Sequence, residues 1–187
     1  MAGEYVFFQS EKGLIKKAQQ GDKRAWLTLV KQYEKPIYHS CLRMVSNPDD
    51  ALEIMQESFM SIYRSLDKYR FESSFKTWAI AITNRRCVEF YRARKVLDEE
   101  QQEMLIAESK TPEPADFMVF MVEQNKQVLK LLNDLPWVQK EVVELKFFQH
   151  FTFDQIAEQL GVSTNTVKSR LYSALSKLRQ DLEVLNG

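Results

Sequence analysis

The chain has 187 residues and a mass of 22.0 kDa, and its 26 lysines and arginines balance its 26 aspartates and glutamates. A composition of 44% hydrophobic and 28% charged residues is typical of a soluble globular protein and excludes a wholly disordered chain. No apolar run approaches the ~20 residues that span a bilayer, no signal peptide is recognisable, and two cysteines cannot form a disulfide framework. We therefore expect a cytoplasmic protein without membrane insertion, and the few glycines and prolines favour helices.

The neutral total conceals an uneven distribution of charge. Residues 1–96 carry 17 basic and 11 acidic side chains, residues 97–121 carry 1 and 7, and residues 122–187 carry 8 and 8. A basic N-terminal block is compatible with a polyanionic partner, whereas the acidic middle would repel one. Chance variation among solvated helix faces is an equally good explanation on charge alone.

Three helices are predicted in the N-terminal part of the chain. The first begins at Asp22, whose side chain can accept from the free N–H groups of the first turn, and runs to about Val45. The Asn47-Pro48-Asp49 segment breaks the chain. A second helix follows, because apolar residues recur at helical spacing at Ala51, Met55, Phe59, Ile62 and Leu66. The third helix is predicted from about Phe75 to Lys95.

The remainder of the chain is predicted to form a linker and a second helical block. Pro112 and Pro114 preclude a regular helix in the acidic stretch from Leu97 to Asp116. Helices resume near Phe117 and are interrupted at Leu135-Pro136 and at Gly161. The predicted fold is all-α, with two small helical domains, 1–96 and 122–187, joined by an acidic linker, 97–121.

Residues 152–179 have the spacing of a helix-turn-helix motif. Ala157 allows two helices to approach closely, Gly161 supplies the positive φ of the turn, and Val167 packs beneath it. Ser163 is placed to cap the second helix. The exposed face of that helix carries amides and hydroxyls that suit base edges and cations that suit phosphates. The candidate DNA contacts are Thr164, Asn165, Lys168, Ser169, Arg170, Tyr172 and Ser173, with Arg170 assigned to a phosphate or a partner; the alternative is a plain helical hairpin with a polar face.

Two surfaces of the N-terminal block are further candidates. Trp78, Arg85 and Arg92 recur every seven residues and share a helix face, and rings with arginines suit single-stranded nucleic acid. A core position for Trp78 is an equal alternative. The polar face of the second helix carries acidic residues, which taken alone favour a solvated surface.

The sequence contains no arrangement that predicts an enzyme. It has no glycine-rich phosphate loop, no Ser/His/Asp arrangement and no HExxH motif. His39 and Cys41 are two residues apart on a helix and therefore lie on different faces. Neither a metal site nor a cofactor is expected.

Taken together, the chain resembles the extracytoplasmic-function group of bacterial RNA polymerase sigma factors, in the sigma-70 family. The segments that carry the resemblance are GDKRAW (21–26), NPDDALEIMQESFMSIYRSL (47–66), FKTWAIAITNRRCVEFYRARK (75–95), LPWVQKEVVELKFF (135–148) and the helix-turn-helix. The resemblance implies an alternative sigma factor that binds core polymerase and promoter DNA, initiates transcription at specific promoters and has no catalytic activity itself. Residues 1–96 would bind polymerase, recognise the minus-ten element and melt it, and residues 122–187 would read the minus-thirty-five element. The linker would run toward the RNA exit path, and an anti-sigma factor is a possible partner.

The resemblance also assigns a polymerase contact. The polar helix of the family that meets the polymerase clamp matches Asp50, Glu53, Gln56 and Glu57. Leu52 stands where an acid is usual, which would weaken the clamp contact or accompany control by phosphorylation at Ser58 or Ser61.

Base capture at the minus-ten element is expected from the loop Phe71–Ser74 and the helix that follows it. The residues assigned to it are Phe71, Phe75, Trp78, Asn84, Arg85 and Arg92. Without gaps, the usual asparagine position holds Arg85, while Asn84 lies one residue earlier. Either the pocket is altered or the register shifts. In the C-terminal domain, Ser173 replaces a frequent arginine.

Two other functions are compatible with the motifs. A stand-alone helix-turn-helix regulator would bind duplex DNA without polymerase. A helical protein-interaction adaptor would have no DNA role, and neutralising Lys168 and Arg170 would then change nothing.

Overall fold

A computed structural model describes residues 10–101 and 126–185 of the chain. Within these two ranges all regular structure is helical. The helices are α1 (Glu11–Gln19), α2 (Lys23–Val45), α3 (Pro48–Ser65), α4 (Phe75–Gln101), α5 (Lys126–Asn133), α6 (Trp137–Val143), α7 (Phe153–Leu160) and α8 (Thr164–Leu185), with a 3-10 turn at Leu66–Lys68 and a π-helical turn at Glu144–Phe148. No described helix is long and apolar enough to cross a membrane.

The starts of α2 and α3 follow from their capping residues, of which the sequence predicts Asp22 as a cap and Asn47 only as part of a break in the chain. The Asp22 carboxylate accepts from the N–H groups of Arg24 and Ala25 at 2.8 and 3.1 Å. The Asn47 side chain accepts in the same way from the N–H groups of Asp49 and Asp50, at 2.9 and 3.2 Å. These bonds satisfy donors that lack partners within the helix and so fix where each helix begins.

Helix α1 is missing from the sequence prediction. It begins after Ser10, whose hydroxyl accepts from the N–H of Gly13, and it buries Leu14, Ile15 and Ala18. The Gln19 amide donates to the carbonyl oxygens of Leu66 and Tyr69 at 2.9 and 3.0 Å. This helix therefore closes the N-terminal core and holds the segment that precedes α4.

Helices α1 to α4 enclose the N-terminal core, and its largest fully buried side chains are Ile15, Leu29, Ile37, Met44, Ile54, Ile62, Leu66 and Ile80. Ala51, Ile62 and Leu66 of the periodic set are buried, whereas Met55 and Phe59 lie half-buried at the edge of the core. Burial of a large aliphatic side chain contributes about 1.5–3 kcal/mol, so this core is the main stabilising element of the domain.

The predicted breaks in the C-terminal block are present, at Leu135-Pro136 and at Gly161. Helix α4 extends past the predicted end at Lys95 to Gln101, into the segment expected to be linker. The predicted helix start near Phe117 lies outside the described residues. Leu132, Leu135, Val142 and Leu145 are buried in the C-terminal block.

The helix-turn-helix has the geometry that its spacing predicts. Thr152 and Gln155 form reciprocal capping bonds at the start of α7. Gly161 ends α7 with φ +64°, and the Ser163 hydroxyl accepts from the N–H of Thr166 at the start of α8. Ala157 and Val167 are both buried where the two helices meet.

The backbone conformation of Gly161 generates a stability prediction. A Cβ atom placed there meets no atom within 4 Å, so Gly161→Ala would add backbone strain without a steric clash. The left-handed conformation costs an L-residue about 1–2 kcal/mol, and we expect Gly161→Ala to lower the free energy of unfolding by about 1 kcal/mol. Urea denaturation measures this.

The exposed Gln180→Ala variant is the control and should stay within about 0.5 kcal/mol of the native chain. Gly161→Asn should lose less than Gly161→Ala, because asparagine tolerates the left-handed region. An alanine variant as stable as the native chain would contradict the assignment of this turn.

Candidate nucleic-acid and polymerase interfaces

The exposed face of α8 presents most of the expected DNA contacts to solvent. Asn165, Lys168, Ser169, Tyr172 and Ser173 are exposed, and Tyr172 retains 65% of its accessible surface. The opposite face buries Val167, Leu171 and Ala174. The arrangement leaves a polar strip of hydroxyl, amide and ammonium groups on a rigid helix, which is suited to the major groove.

Phe153 at the start of α7 organises cations beside this strip. Its ring lies 4.6 Å from Lys146 Nζ and 5.7 Å from Lys168 Nζ, both within cation–π range. Asp154 accepts from the Thr164 hydroxyl at 3.2 Å. The sequence prediction missed Lys146 and Phe153, because their proximity to α8 arises only when the turn folds back.

Arg170 lies half-buried, on the side of α8 that faces the rest of the protein. Its charge acts on the carboxyl group of Glu141 in α6, which is buried. The assignment of Arg170 to a phosphate or to a partner stays a prediction.

An aromatic cluster supports the loop that precedes α4. Phe71 has φ +62° and packs on Tyr69, with ring centroids 4.8 Å apart. Tyr69 also packs on Phe75 and Trp78, at 5.6 and 5.0 Å. Phe75 is only 2% exposed, which corrects the expectation that its ring meets DNA: it supports the loop from within the core. Trp78 is half-buried and so has both a core side and an accessible side.

Arg85 and Arg92 are exposed on α4 and lie seven and fourteen residues after Trp78, on the same face of the helix. Asn84 points elsewhere: it is 5% exposed, and its side-chain amide donates to the Glu141 carboxylate at 2.6 Å. The structure therefore brings Arg85, rather than Asn84, to the same face as Trp78 and Arg92.

The polar face of α3 is accessible at three of its four expected polymerase contacts. Glu53, Gln56 and Glu57 are exposed, whereas Asp50 is half-buried and forms an ion pair with Arg94 of α4. Three apolar side chains of α3 are also exposed to solvent: Leu52 (38%), Met60 (54%) and Tyr63 (47%).

The two serines considered for modification differ in access. Ser58 is fully buried and donates to the Ile54 carbonyl at 2.7 Å, so a kinase could not reach it in this structure. The Ser61 hydroxyl is half-buried and accepts from Arg86 Nε at 2.9 Å.

The two domains contact each other through polar and aromatic groups. Arg43 at the end of α2 donates two hydrogen bonds to Glu144, from Nε at 2.5 Å and from an Nη atom at 2.9 Å. Tyr91 of α4 stacks on Trp137 of α6 with ring centroids 4.4 Å apart. We call this contact the seam; its residues are Arg43, Asn84 and Tyr91 on the N-terminal side and Trp137, Lys140, Glu141 and Glu144 on the C-terminal side.

Lys140 and Glu141 are buried in the seam. Lys140 Nζ lies 3.3 Å from the Met44 carbonyl oxygen, and burial lowers the pKa of Lys140 to about 8. Burial also raises the pKa of Glu141, against the opposing effects of the Asn84 hydrogen bond and of Arg170 and Arg92. Both shifts reflect the cost of placing charge where water is largely excluded.

Within residues 10–101 and 126–185, no group of three or more histidine, cysteine, aspartate or glutamate side chains is placed to hold a metal ion. Cys41 and Cys87 are free and fully buried, and a hydrogen bond between them, together with burial, raises the pKa of Cys87.

Comparison with known proteins identifies two matching family regions. Residues 29–96 match sigma-70 region 2, and residues 125–178 match sigma-70 region 4. The chain is 32% identical over 169 residues to the RNA polymerase sigma factor SigV of Bacillus subtilis, covering 89% of this chain and 96% of SigV. It is 28% identical over 182 residues to the ECF RNA polymerase sigma factor SigW of the same organism, covering 91% and 96% of the two chains.

Two solved structures have a similar fold. One is CnrH in complex with the cytosolic domain of CnrY, with a TM-score of 0.67, 19% identity, and coverage of 93% of this chain and 97% of CnrH. The other is the sigma factor RpoE of Bartonella quintana in complex with the anti-sigma factor NepR, with a TM-score of 0.63, 24% identity, and coverage of 84% and 96%. At these identities the likeness concerns the fold.

The raised pKa of Glu141 predicts a pH dependence of stability. At pH values below its unfolded pKa, Glu141 is protonated in both states and its burial carries no charge penalty. As the pH rises through the folded-state pKa, the folded chain must hold a buried carboxylate, and stability falls. We expect Glu141→Gln to be stabilised relative to the native chain at pH 7 and less so at pH 4, as measured by urea denaturation at both values.

The matched control is Glu158→Gln, which removes an exposed charge from the same domain. A Glu141→Gln difference that is the same at both pH values would show that burial does not control this carboxyl group.

Proposed function

Because the chain belongs to the extracytoplasmic-function group of the sigma-70 family, and is thus an alternative sigma factor that directs RNA polymerase, we propose that its two helical domains divide promoter recognition between them. Residues 1–96 bind core polymerase and recognise and melt the minus-ten element, and residues 122–187 read the minus-thirty-five element. The acidic segment 97–121 joins them along the RNA exit path. The observation that carries this proposal is the presence of both family regions in one chain, 29–96 and 125–178.

The proposed polymerase contact is the polar face of α3. Glu53, Gln56 and Glu57 are accessible there, while the apolar face of the same helix is fixed in the core, so the contact is rigid before the partner arrives. Asp50 joins the contact when its ion pair with Arg94 breaks and its carboxylate pairs instead with a charged group of the polymerase. Leu52 reduces the charge of this surface relative to the usual acidic run.

The proposed minus-ten surface is the accessible side of Trp78 with Arg85 and Arg92. A ring that can stack on an unpaired base, next to cations that hold the backbone, matches the chemistry of a separated strand. Phe71 shapes the loop above this surface. The free energy for opening the DNA duplex then comes from binding the exposed bases and backbone of the separated strand. The protein performs no reaction itself.

The proposed minus-thirty-five surface is the polar strip of α8. Asn165, Ser169 and Tyr172 face the base edges, and Lys168 and Lys146 face phosphates, oriented by the Phe153 ring between them. Because position 173 holds a serine where the family often has an arginine, hydroxyl groups make much of the base contact.

The two alternatives account for less of the chain. The function of a stand-alone helix-turn-helix regulator does not account for the match of residues 29–96 to sigma-70 region 2. An adaptor without a DNA role leaves unexplained the polar strip of α8, with Lys168 and Tyr172 held in solvent.

An anti-sigma factor is a proposed partner, and the cytoplasm the proposed location. The similar fold of RpoE was solved with the anti-sigma factor NepR. The exposed apolar residues Leu52, Met60 and Tyr63 lie beside the proposed polymerase contact, so a protein covering them would also block polymerase.

The test of the proposed function is a pull-down of the purified chain with bacterial core RNA polymerase, followed by run-off transcription on genomic fragments. Stoichiometric binding with new, discrete start sites is the expected result. Duplex binding without any affinity for polymerase would favour the regulator, and neither activity would favour the adaptor.

For the polymerase contact, we expect Glu53→Lys combined with Gln56→Ala to weaken core binding by about 1–2 kcal/mol, the scale of a lost charged contact at an interface. Leu52→Asp should act in the opposite direction by restoring an acid. Fluorescence titration against core polymerase measures both.

The control for this contact is Glu34→Lys, a charge reversal at an exposed position on α2. Core affinity that is unchanged in the α3 variant, with the same helicity by circular dichroism, would refute this surface as the polymerase contact.

For the DNA contact, Lys168→Ala should weaken promoter binding by the holoenzyme and reduce the slope of log K against log salt by about 1, since one phosphate neutralisation is lost. Lys31→Ala removes a matched exposed cation from α2 and should leave the slope as it is. A slope that Lys168→Ala does not change would place this lysine away from the phosphates.

A further inference from the structure

Helix α1 is fixed against the segment that leads into the loop before α4. Near the end of α1, the Gln19 amide donates to the carbonyl oxygens of Leu66 and Tyr69, at 2.9 and 3.0 Å. Near its start, Lys12 Nζ lies 5.5 Å from the centre of the Phe71 ring, within cation–π range. The match to sigma-70 region 2 begins only at residue 29, so α1 lies outside the matched region and the proposed function gives it no role.

One side of α1 presents two lysines beside this loop. Lys12, Lys16 and Gln19 are spaced by four and three residues, so they share a side of the helix. The contacts of Lys12 and Gln19 place that side along residues 66–71. Lys12 and Lys16 are exposed, and neither forms an ion pair within residues 10–101 and 126–185. Their charges are therefore available to a partner.

The exposed charges on this side of α1 and in residues 66–74 are mostly positive. They are Lys12, Lys16, Lys68, Arg70, Asp67 and Glu72. The Glu11 carboxylate lies on the side of α1 that meets α2, where it accepts from the Tyr33 hydroxyl and the Gln32 amide. Four cations against two acids attract a polyanion, and a nucleic-acid strand carries a phosphate at every nucleotide.

The lysines of α1 are close enough to Trp78 to reach the same strand. Consecutive contacts of 5.5, 4.8 and 5.0 Å lead from Lys12 Nζ through the Phe71 and Tyr69 rings to the Trp78 ring. Lys12 is therefore at most about 15 Å from Trp78, a span that holds about four phosphates at about 3.4 Å each along a strand. Phe71, in a strained left-handed conformation with φ +62°, makes the contact that connects α1 to this cluster.

We propose that α1 is part of the minus-ten surface, and that Lys12 and Lys16 bind backbone phosphates of the separated DNA strand next to the loop Phe71–Ser74. This inference rests on the proposed function, because it needs the N-terminal domain to hold a separated strand. The α4 side of the loop holds one part of the strand, and α1 holds the neighbouring part. Because phosphates carry no sequence information, this contact adds affinity at every promoter that the chain opens.

The experiment measures binding of the holoenzyme, made from core polymerase and the full-length chain, to a fluorescent forked promoter fragment. The fragment carries a start site found by run-off transcription, and its minus-ten segment is single-stranded. The variant is Lys12→Gln with Lys16→Gln, which removes two charges and retains helix propensity. Fluorescence anisotropy gives the binding constant as a function of salt.

The expected result is a smaller salt dependence in the variant. Each phosphate contact to a single strand contributes about 0.7 to the slope of log K against log salt, so two lost contacts reduce the slope by about 1.4. Between about 200 and 50 mM salt, the native holoenzyme should gain about sevenfold more affinity for the forked fragment than the variant gains. Lys12→Arg with Lys16→Arg keeps both charges and should retain the native slope.

The matched control is Lys17→Gln with Lys31→Gln, which removes exposed lysines from another side of α1 and from α2 and should leave the slope as it is. A second fragment is fully double-stranded and ends upstream of the minus-ten element. It should bind the native and variant holoenzymes equally, because no separated strand is present. Core affinity and the free energy of unfolding are measured for every chain and should not change.

A forked-fragment slope that is the same for the native chain and for Lys12→Gln with Lys16→Gln would overturn the role of α1, and so would an equal loss in the control. Failure of the native holoenzyme to bind the forked fragment or to initiate from it would instead refute the proposed function, and this inference with it.

Discussion

The carboxylate of Glu144 imposes the constraint on which the arrangement of the two domains depends. It is 2% exposed, and a carboxylate removed from water must be paired and hydrogen-bonded or it destabilises the fold by several kcal/mol. Its partners come from both domains: Arg43 from α2 and Gln149 from the segment after the π-helical turn. That turn brings Gln149 back, because the N–H of Gln149 donates to the carbonyl of Glu144 at 3.1 Å. Satisfying this group fixes one point of the contact between the C-terminal domain and α2, beside the contact of Lys140 with the Met44 carbonyl.

Local signals made much of the fold predictable. Asp22 marks a helix start because a short polar side chain satisfies free N–H groups within its own turn, and Asn47-Pro48 marks the break before the next helix. Gly161 marks the sharp turn because it adopts a positive φ at low cost. Each of these signals acts between residues close in sequence, so a pattern is enough to find it. The sequence does not predict helix α1, because its apolar face is short. Only its packing in the folded core identifies it.

The candidate surfaces were predictable in part. The polar strip of α8 and the accessible face of α3 follow from helical periodicity, which assigns sides correctly. Phe75 shows the limit of this reasoning: its aromatic ring fits both DNA stacking and a core, and the packing of Tyr33, Tyr69 and Trp78 around it decides for the core. Asn84 and Glu141 lie 57 residues apart in the sequence, and the hydrophobic pattern of neither helix predicts their contact.

The apolar residues beside the acidic face of α3 affect the salt dependence of any interface that forms there. Contacts between charges weaken as ionic strength rises, whereas burial of Leu52, Met60 and Tyr63 against a partner is insensitive to screening and is strengthened by excluded salts. A polymerase contact made partly through these groups loses less affinity in concentrated salt than one made by an acidic run alone. Raising the salt concentration would therefore shift such an interface from charge pairing toward apolar burial.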